Sequence, residues 1–197
     1  DRMKTNTGIS ALKKVDGSLA TSDEEKAEIL NQFFSSVFTQ EDVTNMPNME
    51  ECLHSNGISL NEIRVTPAAV KQKLYDLNVN KSQGPDLIPP RVLKEVSDEL
   101  SIPLCSLFNR SLETGILPKD WKTAEVTALF KKGSKSEPGN YRPVSLTCIV
   151  CKILESVVRD SIVSHFTENN LFSNCQHGFR KKRSCVTQLL EVMEDFT

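Results

Sequence analysis

The apolar positions of this chain follow helical spacing through its first two thirds. Ser22-Asp23-Glu24-Glu25 places a Glu three residues after a Ser, the pattern of a capping box at a helix start. Behind it Ala27, Leu30, Phe33, Phe34, Val37 and Phe38 recur every three to four residues, which predicts a helix ending near Thr39. Residues 1–21 show only a turn at Asp16-Gly17, and residues 40–60 read as an acidic linker without a period. Thr66-Pro67 marks a second start, with Thr as cap and Pro at the first helical position, followed by the stripe Val70, Leu74 and Leu77. After the Gly- and Pro-rich loop Asn78–Pro90, a third helix begins near Arg91 with Leu93, Val96 and Leu100 on one face. Pro103 is expected to break it, leaving Leu104, Leu107, Phe108 and Leu112 on a separate helix closed by Gly115.

The period then changes. Ala124–Phe130 and Tyr141–Leu146 read as strands on either side of a turn at Lys131–Asn140, with Pro143 arguing for an edge strand. A helix over Ile149–Phe166 turns Ile153, Leu154, Val157, Val158, Ile162 and Phe166 inward. Asn169–Cys175 is a turn, His177–Ser184 a basic loop, and Val186–Phe196 a last helix with Val186, Leu189, Leu190 and Met193 apolar. The fold class expected from this order is α+β.

The 197 residues suffice for one domain or a piece of a larger one, and 38% hydrophobic with 25% charged residues argues against wholesale disorder. No apolar run approaches the roughly 20 residues that span a bilayer, and the polar start Asp1-Arg2-Met3-Lys4-Thr5 lacks a leader's apolar core. A membrane protein is therefore a poor reading, and a start at Asp hints at a fragment. The net charge of −2 is uneven: 5 basic against 10 acidic residues over 1–60, 7 against 7 over 61–118, and 12 against 9 over 119–197. An anionic partner is expected at the C-terminal third.

Six cysteines are too few for a disulfide scaffold, so Cys52, Cys105, Cys148, Cys151, Cys175 and Cys185 read as reduced, mostly buried thiols of an intracellular protein. Cys148-x-x-Cys151 followed by Cys175 and His177 has a zinc-like spacing, but Cys148-Ile149-Val150-Cys151 lacks the turn residues of a metal knuckle and reads as the apolar start of a helix. His54 and His165 show no partners in the sequence.

The candidate chemistry lies in two basic clusters. If the two strands pair symmetrically about Ser136–Glu137, Lys131 stands opposite Arg142, and a one-residue slip puts Lys132 there instead. Opposed like charges destabilise a strand pair. An anion lying across both relieves the repulsion, and a triphosphate suits a planar Arg fork beside a Lys point charge. Gly133 and Gly139 keep the turn permissive. The same residues also read as a solvated basic turn. The second cluster, Arg180-Lys181-Lys182-Arg183 after Gly178-Phe179, sets an aromatic beside positive charge, as a nucleic-acid contact requires, and equally reads as a solubilising surface run. Gln176 and His177 would donate to phosphate or cap the turn.

Taken in order, Gly84-Pro85-Asp86-x-Ile88-Pro89, Trp121, Phe130-Lys131-Lys132-Gly133, Pro138-Gly139-Asn140-Tyr141-Arg142-Pro143-Val144-Ser145-Leu146, Lys152 with Glu155, and Gln176-His177-Gly178-Phe179-Arg180 resemble the reverse transcriptases of non-LTR retrotransposons, in the jockey and chicken-repeat group. The segment from Asp16-Gly17 to Phe38 also resembles the linker those polyproteins place before the polymerase, so the resemblance covers nearly the whole chain. It implies a helical linker over 1–61, a helical N-terminal extension over 62–118, and the fingers part of a right-hand polymerase over 119–197, a β-hairpin plus helices. It further implies that Lys131 (or Lys132) and Arg142 bind the incoming deoxynucleoside triphosphate. Gln176, Gly178, Phe179, Arg180 and Arg183 would lie near the template. Two departures stand out: Leu87 and Lys182 occupy positions where relatives usually have Gly. Leu87 would strain its loop if that position needs a positive φ, and Lys182 would stiffen the basic loop while adding charge.

The resemblance also implies what this sequence lacks. The family joins a 3′-hydroxyl to an α-phosphate with Mg²⁺ held by palm aspartates, and neither the Ala-Phe-Asp-type motif nor the aromatic-Ala-Asp-Asp turn occurs here. Asp195-Phe196-Thr197 lacks the strand such an aspartate needs. The expectation is a fragment truncated before the palm, binding no Mg²⁺ itself and inactive alone, with Val186, Leu189, Leu190 and Met193 exposed and order greatest over 62–168. The partners implied are an RNA template, a DNA primer, deoxynucleoside triphosphates and the missing palm, with the nucleus and cytoplasm as location. The alternatives are a catalytically dead remnant or a domesticated RNA-binding module using Lys131–Lys135 and Arg180–Arg183.

Overall fold

The computed structural model describes residues 8–42, 44, 58–194 and 196. Cys52, His54, Asp195 and most of the acidic linker lie outside the described residues. The segment expected to be irregular contains a minimal hairpin, β1 (Leu12–Lys13) paired antiparallel with β2 (Leu19–Ala20). Its turn is the one the sequence marks. The Asp16 carboxylate accepts from the Ser18 N–H at 2.9 Å and its hydroxyl at 2.7 Å. Two residues per strand are too few to show a period of two. Helix α1 (Asp23–Ser36) follows, its first turn capped by Ser22 Oγ accepting from the Glu25 N–H at 3.2 Å.

Helix α2 (Pro67–Tyr75) is capped by Thr66 Oγ1, which accepts from the Ala69 N–H at 3.2 Å. Helices α3 (Pro90–Glu95) and α4 (Ser97–Thr114) come next, and here the expected break moves. Helix α4 runs through Pro103, and the chain breaks at Val96 instead, with φ −102° and ψ 28°. Pro103 sits on the exposed face, and the carbonyl it leaves unbonded belongs to the exposed Glu99, where water serves it. The opposite face buries Ser101, Cys105 and Phe108, so packing holds the helix together across the proline. Gly115 ends it with φ 67°, as the sequence predicts.

The main core gathers Val65, Val70, Leu74, Leu93, Cys105, Phe108 and Trp121 with Ile149, Cys151, Ile153 and Leu154 from α5 (Ile149–Glu168) and its N-cap Cys148. Phe108 is fully buried and meets the Trp121 ring edge-on at 5.7 Å, a side chain whose burial stabilises by about 2–3 kcal/mol. Asn109 clamps the approach to α2: its Oδ1 accepts from the Val65 N–H, and its Nδ2 donates to the Val65 carbonyl, both at 2.9 Å. Towards its end α5 outruns its partners, so Ile162 and Phe166, expected inward, are 40% and 38% exposed, and Phe166 packs on Phe172 at 5.2 Å. Among the described residues no helix is long and apolar enough to cross a membrane.

Strands β3 (Glu125–Phe130) and β4 (Tyr141–Leu146) form an antiparallel ribbon. Its register pairs Leu129 with Arg142 and Phe130 with Tyr141, and Lys131 N–H donates to the Asn140 carbonyl at 2.8 Å. The expected opposition of Lys131 and Arg142 is therefore corrected by two residues. One face of the ribbon is covered by the N-terminal segment. Leu12, Leu30 and Tyr141 form a second buried cluster joined by Ile9, Ile29, Phe34, Ala128 and Phe130, and Lys13 N–H donates to the Ser136 carbonyl at 2.8 Å. A final helix, α6 (Cys185–Glu194), follows the basic loop.

Candidate nucleotide and nucleic-acid site

A register shift of two residues keeps every side chain on the face it had, because strand side chains alternate with a period of two. Ala128, Phe130 and Tyr141 pack inward against the N-terminal cluster. Glu125, Thr127, Leu129, Arg142, Val144 and Leu146 therefore share the outer face, with Glu125 across from Leu146, and Lys131 continues it. Arg142 and Lys131 are diagonal neighbours, about 7–8 Å apart at the backbone and within joint reach of one ligand through their long side chains. Both are exposed, and among the described residues neither enters an ion pair. Glu137 in the turn faces the other way, 4.0 Å from Lys13. Lys132 lies past the last strand pair, in the bend that leads into the turn.

The turn is built to hold a fixed shape. Gly133 has φ 84°, and a Cβ there would stand 2.7 Å from Asn140 Nδ2, which donates to the Ser134 carbonyl at 2.9 Å. Tyr141 Oη donates to the Lys135 carbonyl at 2.7 Å, and Lys135 Nζ lies 5.7 Å from the centre of the Phe130 ring. Burial raises the Tyr141 hydroxyl above its usual range, so it stays a neutral donor.

The basic loop divides its residues. His177 is buried: its Nδ1 is 2.8 Å from Thr187 Oγ1, and its Nε2 is 2.8 Å from Glu191 Oε2. It anchors the loop to α6 and is turned away from any phosphate. Arg183 donates to Glu191 Oε1 at 2.5 Å, so its charge is matched inside the chain. Hydrogen bonds from His177 first, and then from Arg183, hold the Glu191 carboxyl below its usual range. Arg180 donates to the Ser173 carbonyl at 2.9 Å and stacks 5.0 Å from the Phe172 ring centre. The Gln176 carbonyl is 3.4 Å from the same guanidinium. Gly178, Phe179, Lys181 and Lys182 face solvent, and the Phe179 ring is fully exposed. The sequence reading missed Thr187 and Glu191. Their signal was a spacing of four on α6, which sets both beside the loop that precedes it.

The Gly84-Pro85-Asp86 loop packs on the start of α5. The Cys148 thiol, its N-cap, accepts from the Cys151 N–H at 3.4 Å, as the reading of this pair as a helix start requires. Burial first, then Glu155, pushes the Cys151 thiol up to about 12, and burial raises Cys148, so both thiols are neutral core groups. Leu87 and Lys182, the two positions where the resemblance implies Gly, have φ of 55° and 65°, both left-handed.

No protein-family model matches the chain. Among curated proteins it is 28% identical, over 95% of its length, to the RNA-directed DNA polymerase of the mobile element jockey from Drosophila melanogaster, covering 21% of that protein. It is 28% identical over 88% of its length to the probable RNA-directed DNA polymerase of transposon BS, and 25% identical over 90% to that of the X-element, both from Drosophila melanogaster and each covered over 20% of its length. The chain thus spans about one fifth of the length of these relatives, and over most of its own length it is similar to the RNA-directed DNA polymerases of Drosophila non-LTR elements, as its motifs indicate.

Proposed function

We propose that this chain is the part of a retrotransposon RNA-directed DNA polymerase that grips the incoming deoxynucleoside triphosphate and guides the template, the fingers of a right-hand polymerase with its N-terminal extension. Lys131 and Arg142 hold the triphosphate, with Lys132 at the entrance to the turn. Gln176, Gly178, Phe179 and Arg180 lie along the template path, where the exposed Phe179 ring gives a base a stacking surface. Arg183 acts by positioning that loop through Glu191. The observation that carries the reading is the placing of two exposed cations, without ion-pair partners among the described residues, on the one ribbon face the N-terminal cluster leaves open.

Such a site stabilises charge on phosphate oxygens and aligns the α-phosphate. Among the described residues no group of three His, Cys, Asp or Glu stands where it would hold a metal ion. In this reading the Mg²⁺ of the family's chemistry is held elsewhere in the polymerase. RNA-templated DNA synthesis primed at a nuclear DNA target is the activity served, with translation in the cytoplasm. Titrating a fluorescent deoxynucleoside triphosphate into the chain tests this: Arg142→Gln and Lys131→Gln are each expected to weaken binding about tenfold. Equal binding by the double variant, or RNA binding that is lost on Arg180→Ala and Arg183→Ala while no nucleotide binds, would turn the reading to an RNA-binding module.

A further inference from the structure

A second cationic site lies at the far end of the same ribbon face. Leu146, the last residue of β4, lines a cavity of about 550 Å³ between α2, the loop over 78–82 and α5. Lys73, Lys81, Ser82, Ile149 and Lys152 also line it, and no Asp or Glu does. Lys73 is held by Asp160, which α5 supplies from outside the cavity. Lys81 and Lys152 enter no ion pair among the described residues. The two unmatched ammonium groups, Lys81 and Lys152, flank one cavity and repel one another, and a low-dielectric wall such as Leu146 and Ile149 strengthens that field. An anion entering the cavity removes the repulsion, and the Ser82 hydroxyl adds a donor to it.

We propose that this cavity binds the phosphodiester backbone of a single nucleic-acid strand, which runs along the outer face of β4 towards the triphosphate site. Four residue steps along β4 take the chain from Arg142 to Leu146, about 13 Å along one face. One triphosphate does not bridge that distance, whereas a strand does. The exposed Val144 between the two ends gives a sugar or base an apolar surface. The proposal rests on the reading of the outer face as a nucleotide surface, and it assigns Lys81 and Lys152 to the strand alone.

The test measures two ligands on the 197-residue chain: a labelled single-stranded oligouridylate and a fluorescent deoxynucleoside triphosphate. Lys81→Gln/Lys152→Gln is expected to weaken strand binding about tenfold and to lower the slope of log affinity against log salt by about 1.4, two phosphates' worth. Triphosphate binding should stay within twofold, and Lys81→Arg/Lys152→Arg should restore the strand affinity. A control pair, Arg110→Gln/Lys119→Gln, removes the same charge from another surface. A loss no larger than the control's overturns the proposal, as does a wild-type chain that binds no strand at low salt. Strand binding that needs Lys81 and Lys152 in a chain that binds no triphosphate supports this site and overturns the assignment of Lys131 and Arg142. Thermal melts of both pairs guard against loss of fold.

Discussion

Gly84 lies so close to the start of α5 that a Cβ on it would stand 2.5 Å from the Cys148 Cα and 2.6 Å from its backbone nitrogen. Backbone atoms cannot swing aside as a flexible side chain can. Gly84→Ala is therefore expected to cost about 2–3 kcal/mol by overpacking, lowering the melting temperature by about 5–10 °C. A melt within 1 °C of the wild type would show that this loop does not rest on the helix.

Leu87 and Lys182 point the other way. An L-residue held left-handed costs about 1–2 kcal/mol, part of which Gly returns through the greater freedom of its unfolded chain. Leu87→Gly and Lys182→Gly are each expected to stabilise by about 0.5–1 kcal/mol, read as a higher denaturant midpoint at unchanged slope. Leu87 is exposed, so little packing is lost with its side chain.

The two hairpin cations should not be exchangeable. Arg offers phosphate a planar pair of donors, Lys a single compact charge. Arg142→Lys is expected to weaken triphosphate binding more than Lys131→Arg does, by roughly 1 kcal/mol of differential binding. Equal effects in a titration would mean that the site reads charge alone.

The junction of the basic loop with α6 should respond to acid. Glu191 is held below its usual range by His177 and Arg183, so its folded value lies under its unfolded value. A carboxylate shifted down contributes stability that is complete above the unfolded value of about 4.3 and is lost as pH falls through the folded one. Thr187 and Ser184 amide chemical shifts should show a step below about pH 4.3. Glu191→Gln should abolish that step, and a step surviving in the variant would assign it to another group.

Helix α6 exposes Val186, Leu189 and Leu190 at 56–64%, the stripe the sequence predicts to be uncovered. An apolar patch of this kind drives association. Light scattering should show concentration-dependent self-association that Leu189→Gln/Leu190→Gln reduces while helix content is kept.

Much of the fold is local and was legible in the chain. Caps at Ser22 and Thr66, the αL end at Gly115, and β4 at Tyr141–Leu146 follow from side chains acting on neighbours a few residues away. That Lys131 and Arg142 share a face follows from alternation for any register that differs by an even number of residues, whereas a one-residue slip would bring Lys132 there instead. Contacts distant in sequence decided the rest. Which residue stands across from Arg142 depends on how a ten-residue turn folds, and Gly133, Asn140 and Tyr141 settle that together. Pro103 stays helical because the core face of α4 outweighs one missing hydrogen bond. Arg183 looks like a free phosphate ligand in the sequence and is neutralised by Glu191 in the fold. The sequence by itself determined most of the elements, the basic clusters and the family likeness. The tertiary structure decided which cations remain without a partner, because charge is matched through space, between residues that chain order keeps apart.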